Sequence, residues 1–153
     1  MASSAYLDGL KMLARRELSE SRIRERLARR GHTPDAIDEA VARLRAEHAI
    51  DDERVAATIA RNGVSERRRG KLRIRMEIER AGIAGRTAQR AVDAAFETID
   101  DDVLLQASIE RRLRGRETIA DDRELQRLYR YLAGQGFEPD QIIKALTARK
   151  RSD

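Results

Sequence analysis

Three stretches decide the fold: RIRERLARRGHTPDAIDEAV (22–41), RIRMEIERAGIAGRTAQRAV (73–92) and RLYRYLAGQGFEPDQIIKAL (127–146). Each is a helical run that ends at a glycine, passes through a short turn and restarts as a second helical run. They align without a gap on Gly31, Gly82 and Gly136, which lie 51 and 54 residues apart. Self-similarity at such a period indicates an array of small units. We therefore expect an all-α protein.

The residues around each glycine support this alignment. Glycine readily adopts the left-handed conformation that ends a helix. Pro34 and Pro139, the only prolines of the chain, both stand three residues after the glycine, where proline suits the first position of a new helix. The apolar pairs before the glycines are four residues apart and predict one buried face per helix; they are Ile23 with Leu27, Ile74 with Ile78, and Leu128 with Leu132.

A further helix precedes each of these stretches. Acidic residues at Asp51 and Asp100 open the second and third units and are typical of helix N-termini. In the second unit, Asn62-Gly63 is expected to end the first helix and Ser65 to cap the next one. The sequence thus predicts a tandem array of three three-helix repeats, elongated and with its curvature left open. The expected boundaries are 1–50, 51–99 and 100–153.

The composition favours thin helical units over one thick core. Charged residues make up 39% of the chain, aromatic residues 3%, and tryptophan is absent. The core must then consist mainly of leucine, isoleucine, valine and alanine. The net charge of +5 favours a polyanion or an acidic protein surface as partner. The chain has no cysteine, which excludes disulfides, thiolate metal sites and a thiol nucleophile.

Neither end of the chain nor its interior suggests a membrane protein. The start, MASSAYLDGLKMLARR (1–16), lacks the apolar segment of a signal peptide. No apolar run approaches the roughly 20 residues needed to cross a bilayer. We expect a cytoplasmic protein with no membrane partner.

Catalytic patterns are missing from the sequence. His32 and His48 are the only histidines, and neither belongs to a zinc-binding pattern. His32 holds the position of Ile83 and Phe137 in the other repeats, which predicts a half-buried packing residue. Helix capping accounts for the acidic clusters without a metal, and the spacing of a phosphate-binding loop fails near Gly70. The sequence therefore predicts no enzyme, no catalytic residue, no metal and no cofactor.

The basic segment from Arg67 to Arg75 is the most distinctive local composition. On one helix, Arg67, Lys71 and Arg75 would share a face, since they are spaced four residues apart. Such a stripe suits phosphates or an acidic groove, although a merely solvated helix face is an equal alternative. The residues predicted to contact a partner are Arg67, Arg68, Lys71 and Arg75, followed by Arg24 and Arg130.

Two tyrosines stand beside arginines in the third unit. Tyr129 and Tyr131 flank Arg130, and aromatic side chains next to arginines can stack on nucleic acid bases. On a helix whose core positions are Leu128 and Leu132, however, both tyrosines lie at the edges of the buried face. Packing is therefore the favoured interpretation.

The order of four segments resembles a known family. SESRIRERLARRG (19–31), IDDERVAATIARN (50–62), GKLRIRMEIERAGI (70–83) and RLYRYLAGQGF (127–137) are similar to the bacterial RecX regulators of the RecA recombinase. The similarity runs from about Leu7 to Leu146. It implies tandem three-helix repeats and a regulator that is not an enzyme, with a role in homologous recombination, DNA repair and the SOS response.

The resemblance also implies a mode of action. Family members bind along the groove of the RecA–DNA filament and suppress ATP hydrolysis, strand exchange and co-protease activity. The expected partners are the RecA filament and, weakly for the protein alone, single- or double-stranded DNA, with the protein as a monomer. One alternative is an autonomous DNA-binding protein built of helix-turn-helix-like units. A helical scaffold for an unrelated protein is another.

Overall fold

The structure, a computed structural model, describes residues 4–150. Within that range the chain forms nine helices and no strand, which confirms the all-α prediction. The helices are α1 (Ser4–Arg15), α2 (Glu20–Arg29), α3 (Pro34–Ala46), α4 (Asp52–Ser65), α5 (Lys71–Arg80), α6 (Gly85–Ala95), α7 (Asp101–Leu113), α8 (Asp122–Gln135) and α9 (Pro139–Thr147). None of the helices in this range is long and apolar enough to cross a bilayer.

The buried apolar side chains form three separate clusters, one for each group of three helices. Leu104 is the one side chain that packs against both the second and the third cluster. The accessible surface of 9924 Å² exceeds the roughly 7,900 Å² expected for a compact monomer of this mass. Separate cores and a large surface confirm a tandem array of three-helix repeats.

Local signals begin and end the helices as the sequence predicts. Gly31, Gly82 and Gly136 have φ values of +88°, +89° and +99°, so each adopts the left-handed conformation after its helix. The residues whose side chains cap helices include Ser19 on α2, Thr33 on α3, Asp51 on α4 and Asp100 on α7. Capping thus accounts for the leading residue of both acidic clusters.

The predicted end of α4 at Asn62-Gly63 is wrong, because the helix continues to Ser65. Gly63 is buried, and a Cβ there would lie 2.7 Å from Cγ1 of Ile74. This glycine therefore permits the close approach of α4 and α5 and does not end the helix. Ser65 does not cap α5 either, since the N-cap residue of α5 is Gly70.

Neighbouring repeats meet end to end through their middle helices. At the first junction, the N-terminal end of α2 lies against the C-terminal end of α5: Ser19 Oγ donates a hydrogen bond to the carbonyl of Ala81. At the second junction, the N-terminal end of α5 lies against the C-terminal end of α8: Gly70 N donates to the carbonyl of Gln135 at 2.8 Å. Each junction therefore pairs backbone groups that a helix end leaves free.

Both junctions use the same arginine position. Arg22 Nη2 donates to the carbonyl of Arg80 at 2.6 Å, and Arg73 Nη1 donates to the carbonyl of Gly134 at 2.8 Å. Arg22 and Arg73 open the first two repeated stretches, and both acceptors stand two residues before the glycine that ends the partner helix. The repeat pattern thus encodes the contact between units as well as their cores.

The third repeat differs because α8 begins one turn earlier than its equivalents. α2 and α5 begin two residues before Arg22 and Arg73, whereas α8 begins at Asp122, five residues before Arg127. Glu124, at the position of the junction residues Ser19 and Gly70, is instead bound by both Nη atoms of Arg116 at 3.0 and 2.9 Å. In the third repeat an ion pair thus occupies the position that joins a neighbouring repeat at Ser19 and Gly70.

Candidate functional site

The structure divides the basic segment 67–75 between a turn and a helix. α4 ends at Ser65 and α5 begins at Lys71, and Arg68 between them has a left-handed φ of +53°. Of the four predicted contact residues in this segment, Lys71 and Arg75 lie on α5, while Arg67 and Arg68 lie on the turn. The predicted stripe along a single helix is therefore wrong, because the left-handed backbone at Arg68 interrupts the helix.

Two cations of this turn are exposed, and a third is half-buried. Arg67 and Arg68 are exposed, and neither forms an ion pair within the described part of the chain. Arg69 is half-buried and pairs with Glu77, which also accepts from Arg73 Nε at 3.3 Å. Arg69 and Arg73 thus belong to the internal structure, whereas the charges of Arg67 and Arg68 remain available to a partner.

Lys71 is directed toward the second junction. Its side chain is half-buried, and Nζ lies 5.3 Å from the ring centroid of Phe96, a cation–π contact. Burial raises the pKa of Asp101 above its usual value, and the positive charge of Lys71 offsets part of that rise. Part of the Lys71 charge therefore serves to compensate Asp101.

Arg24 and Arg75 occupy equivalent positions in the first two repeats and make equivalent internal contacts. Arg24 Nη1 donates to Asp38 at 2.6 Å, and Arg75 Nη1 donates to Gln89 at 2.7 Å. Each contact joins the middle helix of a repeat to its third helix. A role for these two arginines in binding a partner stays a prediction.

The equivalent positions in the third repeat are apolar. Tyr129 and Ile143 stand where the first repeat has Arg24 and Asp38, and Ile143 is 52% exposed. Arg130 is exposed beside Tyr129 and forms no ion pair within residues 4–150. Together with Leu125 and Gln126, Tyr129 and Arg130 line a shallow pocket of about 250 Å³.

Both tyrosines of α8 pack against the third core cluster, as the sequence favoured. The guanidinium carbon of Arg112 lies 3.7 Å from the ring centroid of Tyr131, and the hydroxyl of Tyr131 accepts a hydrogen bond from Gln135 Nε2 at 2.9 Å. Tyr131 is therefore occupied on one face of its ring and at its hydroxyl.

The six predicted contact residues do not form one cluster. Arg67, Arg68, Lys71 and Arg75 belong to the second repeat, while Arg24 lies in the first and Arg130 in the third. Of the four in the second repeat, Arg67 and Arg68 are the exposed pair that forms neither an ion pair nor a cation–π contact within residues 4–150. We regard this pair and the outer face of α5 as the candidate contact surface.

The outer face of α5 adds apolar side chains to these charges. Leu72 and Met76 are four residues apart, hence on one side of the helix, and are 42% and 44% exposed. Large apolar side chains exposed near arginines are typical of protein interfaces, in which methionine and arginine are enriched. The surface is thus suited to a protein partner as well as to phosphates.

The histidines add no catalytic arrangement. His32 is half-buried, as expected for a packing residue, and its Nε2 lies 2.7 Å from Oδ2 of Asp8. This hydrogen bond, with the nearby charge of Arg30, holds the pKa of Asp8 below its usual value. No group of three or more histidine, cysteine or acidic residues in the described range is arranged to hold a metal ion.

The structure contains a basic groove between α1 and α2 that the sequence did not predict. Its volume is about 450 Å³ and Met12 lines it. Six cations also line it, and they are Lys11, Arg15, Arg16, Arg26, Arg29 and Arg30. The sequence does not reveal this group, because the residues from α1 join Arg29 and Arg30 only once the two helices pack. We call this feature the α1–α2 groove.

Comparison with known proteins gives consistent matches along the chain. The family model described as RecX, first three-helix domain, matches residues 5–44, and that of the third three-helix domain matches residues 100–146. Regulatory protein RecX of Halorhodospira halophila is 35% identical over 99% of this chain and 92% of its own. Regulatory protein RecX of Syntrophotalea carbinolica is 31% identical over 88% of this chain and 89% of its own.

A solved structure supports the fold independently. The crystal structure of RecX from Lactobacillus salivarius has a TM-score of 0.74 to this chain at 18% identity, and the match covers 94% of this chain and 95% of the other. At that identity the match bears on the fold alone. Taken with the sequence matches over nearly the full length, the three-helix repeats and their order show that this chain belongs to the RecX family of regulatory proteins.

Proposed function

We propose that this protein is an inhibitor of the RecA recombinase that binds in the groove of the RecA–DNA filament. Bound there, it suppresses ATP hydrolysis, strand exchange and co-protease activity. It acts as a cytoplasmic monomer, without catalysis of its own, and binds DNA only weakly in the absence of the filament. Membership of the RecX family is the main support for RecA as the partner.

The observation that carries the mode of binding is the mixed surface of the second repeat. Arg67 and Arg68 offer charges without internal ion pairs in residues 4–150, and Leu72 and Met76 offer apolar area beside them. A purely nucleic-acid-binding surface would gain little from two exposed apolar side chains. A filament that presents both protein and DNA in one groove would contact both kinds of side chain.

An array of repeats also explains inhibition physically. Units joined end to end can contact neighbouring protomers of a filament at the same time. A ligand shifts a conformational equilibrium only if it binds one state better than another. An array that fits one spacing between protomers would favour that spacing and oppose the changes that turnover requires.

The test is RecA ATPase activity on single-stranded DNA, titrated with the protein. Inhibition at substoichiometric ratios supports the proposal, and an unchanged ATPase at excess protein overturns it. Arg67→Ala with Arg68→Ala should raise the half-inhibitory concentration about tenfold, the equivalent of about 1.4 kcal/mol of binding energy. Arg86→Ala with Arg123→Ala removes two exposed charges elsewhere and serves as the matched control.

The same titration distinguishes the second candidate function. An unchanged ATPase together with tight, strongly salt-dependent DNA binding by the protein alone would favour an autonomous DNA-binding protein. Equal effects of the two double variants would instead show that net charge, and not the turn before α5, governs inhibition.

A further inference from the structure

We propose that the α1–α2 groove is a second binding site, which takes the phosphodiester backbone of a nucleic acid. It lies in the first repeat, apart from the contact surface on the second repeat. The inference rests on one part of the proposed function, the weak binding of DNA by this chain alone, and it is independent of RecA inhibition.

The groove carries a large uncompensated charge. Arg29 pairs with Glu25 at 2.8 Å, and Arg30 pairs with Asp8 at 3.3 Å. The other four cations of the groove form no ion pair within residues 4–150, and they are Lys11, Arg15, Arg16 and Arg26. Six positive charges against these two carboxylates leave four, a high density for one small repeat.

The ion pairs of Asp8 within residues 4–150 are with the end of α2 and not with the neighbouring lysine. Its Oδ2 faces His32 Nε2 at 2.7 Å and its Oδ1 faces Arg30 at 3.3 Å. Both oxygens therefore hold the end of α2 against α1. Lys11, one turn further along α1, is near enough for its charge to help lower the pKa of Asp8, but it forms no ion pair within residues 4–150.

The positions of the cations suit a linear polyanion. The ion pair between Asp8 of α1 and Arg30 at the end of α2 places these two helices side by side, and the groove lies between them. Lys11 and Arg15 lie on one wall and Arg26 and Arg30 on the other, each pair about 6 Å apart along its helix axis. Two facing rows of charge are matched by a ligand whose negative charges repeat along a line.

The lining of the groove argues for contact with phosphates and against contact with bases. Met12 is its apolar lining residue, and no aromatic side chain among residues 4–150 lines it. Base stacking on aromatic residues is what single-stranded binders use in addition to charge. Contacts to phosphates position a nucleic acid without reading its sequence, so we expect binding that is independent of sequence.

The other two repeats lack this arrangement. Arg26, Arg29 and Arg30 correspond to Glu77, Arg80 and Ala81 in the second repeat and to Tyr131, Gly134 and Gln135 in the third. In those repeats a junction covers the end of the middle helix. The C-terminal end of α2 is not covered within the described residues, so the groove lies where a long ligand can enter.

Helix stabilisation explains only part of the cluster. Cations near a helix C-terminus interact favourably with its partial negative charge, which accounts for Arg26 and Arg29 in the last turn of α2 and for Arg15 in the last turn of α1. It does not account for Lys11, which precedes the last turn of α1, or for Arg16, which follows the helix. A ligand with several negative charges accounts for all six cations.

The experiment measures binding of the full chain to fluorescently labelled single-stranded (dT)20 by anisotropy at several salt concentrations, without RecA. Lys11→Gln/Arg15→Gln/Arg26→Gln should weaken binding about tenfold or more. It should also lower the slope of log K against log salt by about 2, because each lost phosphate contact on a single strand contributes about 0.7. A duplex of the same length in a parallel titration shows whether one strand or two present the backbone.

A matched variant removes the same charge from other repeats: Arg86→Gln/Arg123→Gln/Lys144→Gln. It should leave the salt slope unchanged and the affinity within about twofold. Arg15→Lys/Arg26→Lys keeps the charges and should keep most of the affinity, which separates charge from folding. Equal losses in both triple variants, or no loss in the groove variant, would overturn the proposal.

RecA inhibition reports separately on the proposed function. A groove variant that loses DNA binding but still inhibits the ATPase leaves the groove site in place and limits its role in inhibition. If the groove variant keeps its DNA affinity but loses inhibition, the groove binds an acidic protein surface and the nucleic-acid proposal is wrong.

Discussion

The ends of α2 and α8 carry the same glycine in different surroundings. Gly31 and Gly136 share a left-handed backbone, with φ of +88° and +99°. A Cβ at Gly31 would meet no atom within 4 Å, whereas one at Gly136 would overlap Arg73 of the neighbouring repeat. At Gly31, glycine is therefore required only by the left-handed turn. At Gly136, it is required both by the turn and by the contact with the neighbouring repeat.

This difference separates what a repeat needs to fold from what the array needs to assemble. The left-handed turn belongs to each unit and occurs three times. Among these three glycines, close contact with another repeat occurs at Gly82 and Gly136. The backbone conformation of the glycine is nevertheless similar at all three positions. The repeated glycine thus supports two kinds of interaction, the turn within a repeat and the contact between repeats. Substitution of each glycine can distinguish them.

The largest effect is expected for Gly136→Ala. A left-handed non-glycine residue costs about 1–2 kcal/mol, and forcing a methyl group into a packed contact costs about 1–3 kcal/mol. We expect the free energy of unfolding to fall by about 3 kcal/mol, and the third repeat to become susceptible to proteolysis near residues 66–70. Urea denaturation followed by circular dichroism measures the first effect and limited trypsin digestion the second.

Gly70→Ala isolates the contact, because Gly70 has an ordinary φ of −79°. A Cβ there would lie 2.5 Å from the carbonyl carbon of Gly136. The cost should be about 2 kcal/mol, from packing alone. If Gly70→Ala were neutral, the junction would not be the close backbone contact described here.

A smaller effect is expected for Gly31→Ala, where only the backbone conformation is disturbed. The loss should be about 1 kcal/mol, with no change in the pattern of proteolysis. The same denaturation measurement applies. A loss as large as that of Gly136→Ala would contradict the distinction between the open and the covered helix end.

The smallest effect concerns the carboxylates of the two junctions. Asp52 Oδ1 accepts a hydrogen bond from Glu20 N at 2.9 Å, whereas Oδ1 of the equivalent Asp101 is buried without a partner in residues 4–150. Burial raises the pKa of Asp101 in the folded protein. The folded state then favours the protonated form, and its stability declines as pH rises through that pKa.

Asp101→Asn should therefore stabilise the protein at neutral pH and have little effect near pH 3, where the acid is protonated in both states. Urea midpoints measured across this range test the sign. Asp52→Asn is the control and should not stabilise at neutral pH, because its carboxylate is already hydrogen-bonded. A midpoint difference for Asp101→Asn that shrinks as pH rises would contradict the burial of an unpaired oxygen.

Much of the fold follows from local sequence signals. Gly31, Gly82 and Gly136 end helices, Thr33 and Asp51 begin them, and the paired apolar residues mark the buried faces. Each of these depends on a few neighbouring residues, so the sequence alone is enough to place them. The number and order of the helices could therefore be predicted.

The errors arose where packing between elements overrides local preference. Gly63 looks like a helix terminator, yet it is kept inside α4 by the close approach of Ile74. Arg67 looks like part of a helical stripe, yet the turn at Arg68 separates it from α5. Both departures depend on contacts that sequence spacing does not contain.

The candidate surfaces were harder to predict than the fold for the same reason. Six basic residues were selected by composition, and the structure gives internal partners to Arg24, Lys71 and Arg75. The α1–α2 groove requires residues from two helices and could be recognised only after they were placed side by side. Charge in a sequence rich in arginine does not reveal which side chains are already paired.

The additional turn at the start of α8 makes the two ends of the described array unequal as docking positions for a further repeat. A duplicated unit placed before the first repeat would meet an uncovered helix end at Gly31, where a new junction needs only the arginine and small residue that the pattern already carries. A unit placed after the third would meet Asp122 and the Arg116–Glu124 pair, which occupy the docking position. A further repeat would therefore dock more readily before the first repeat than after the third.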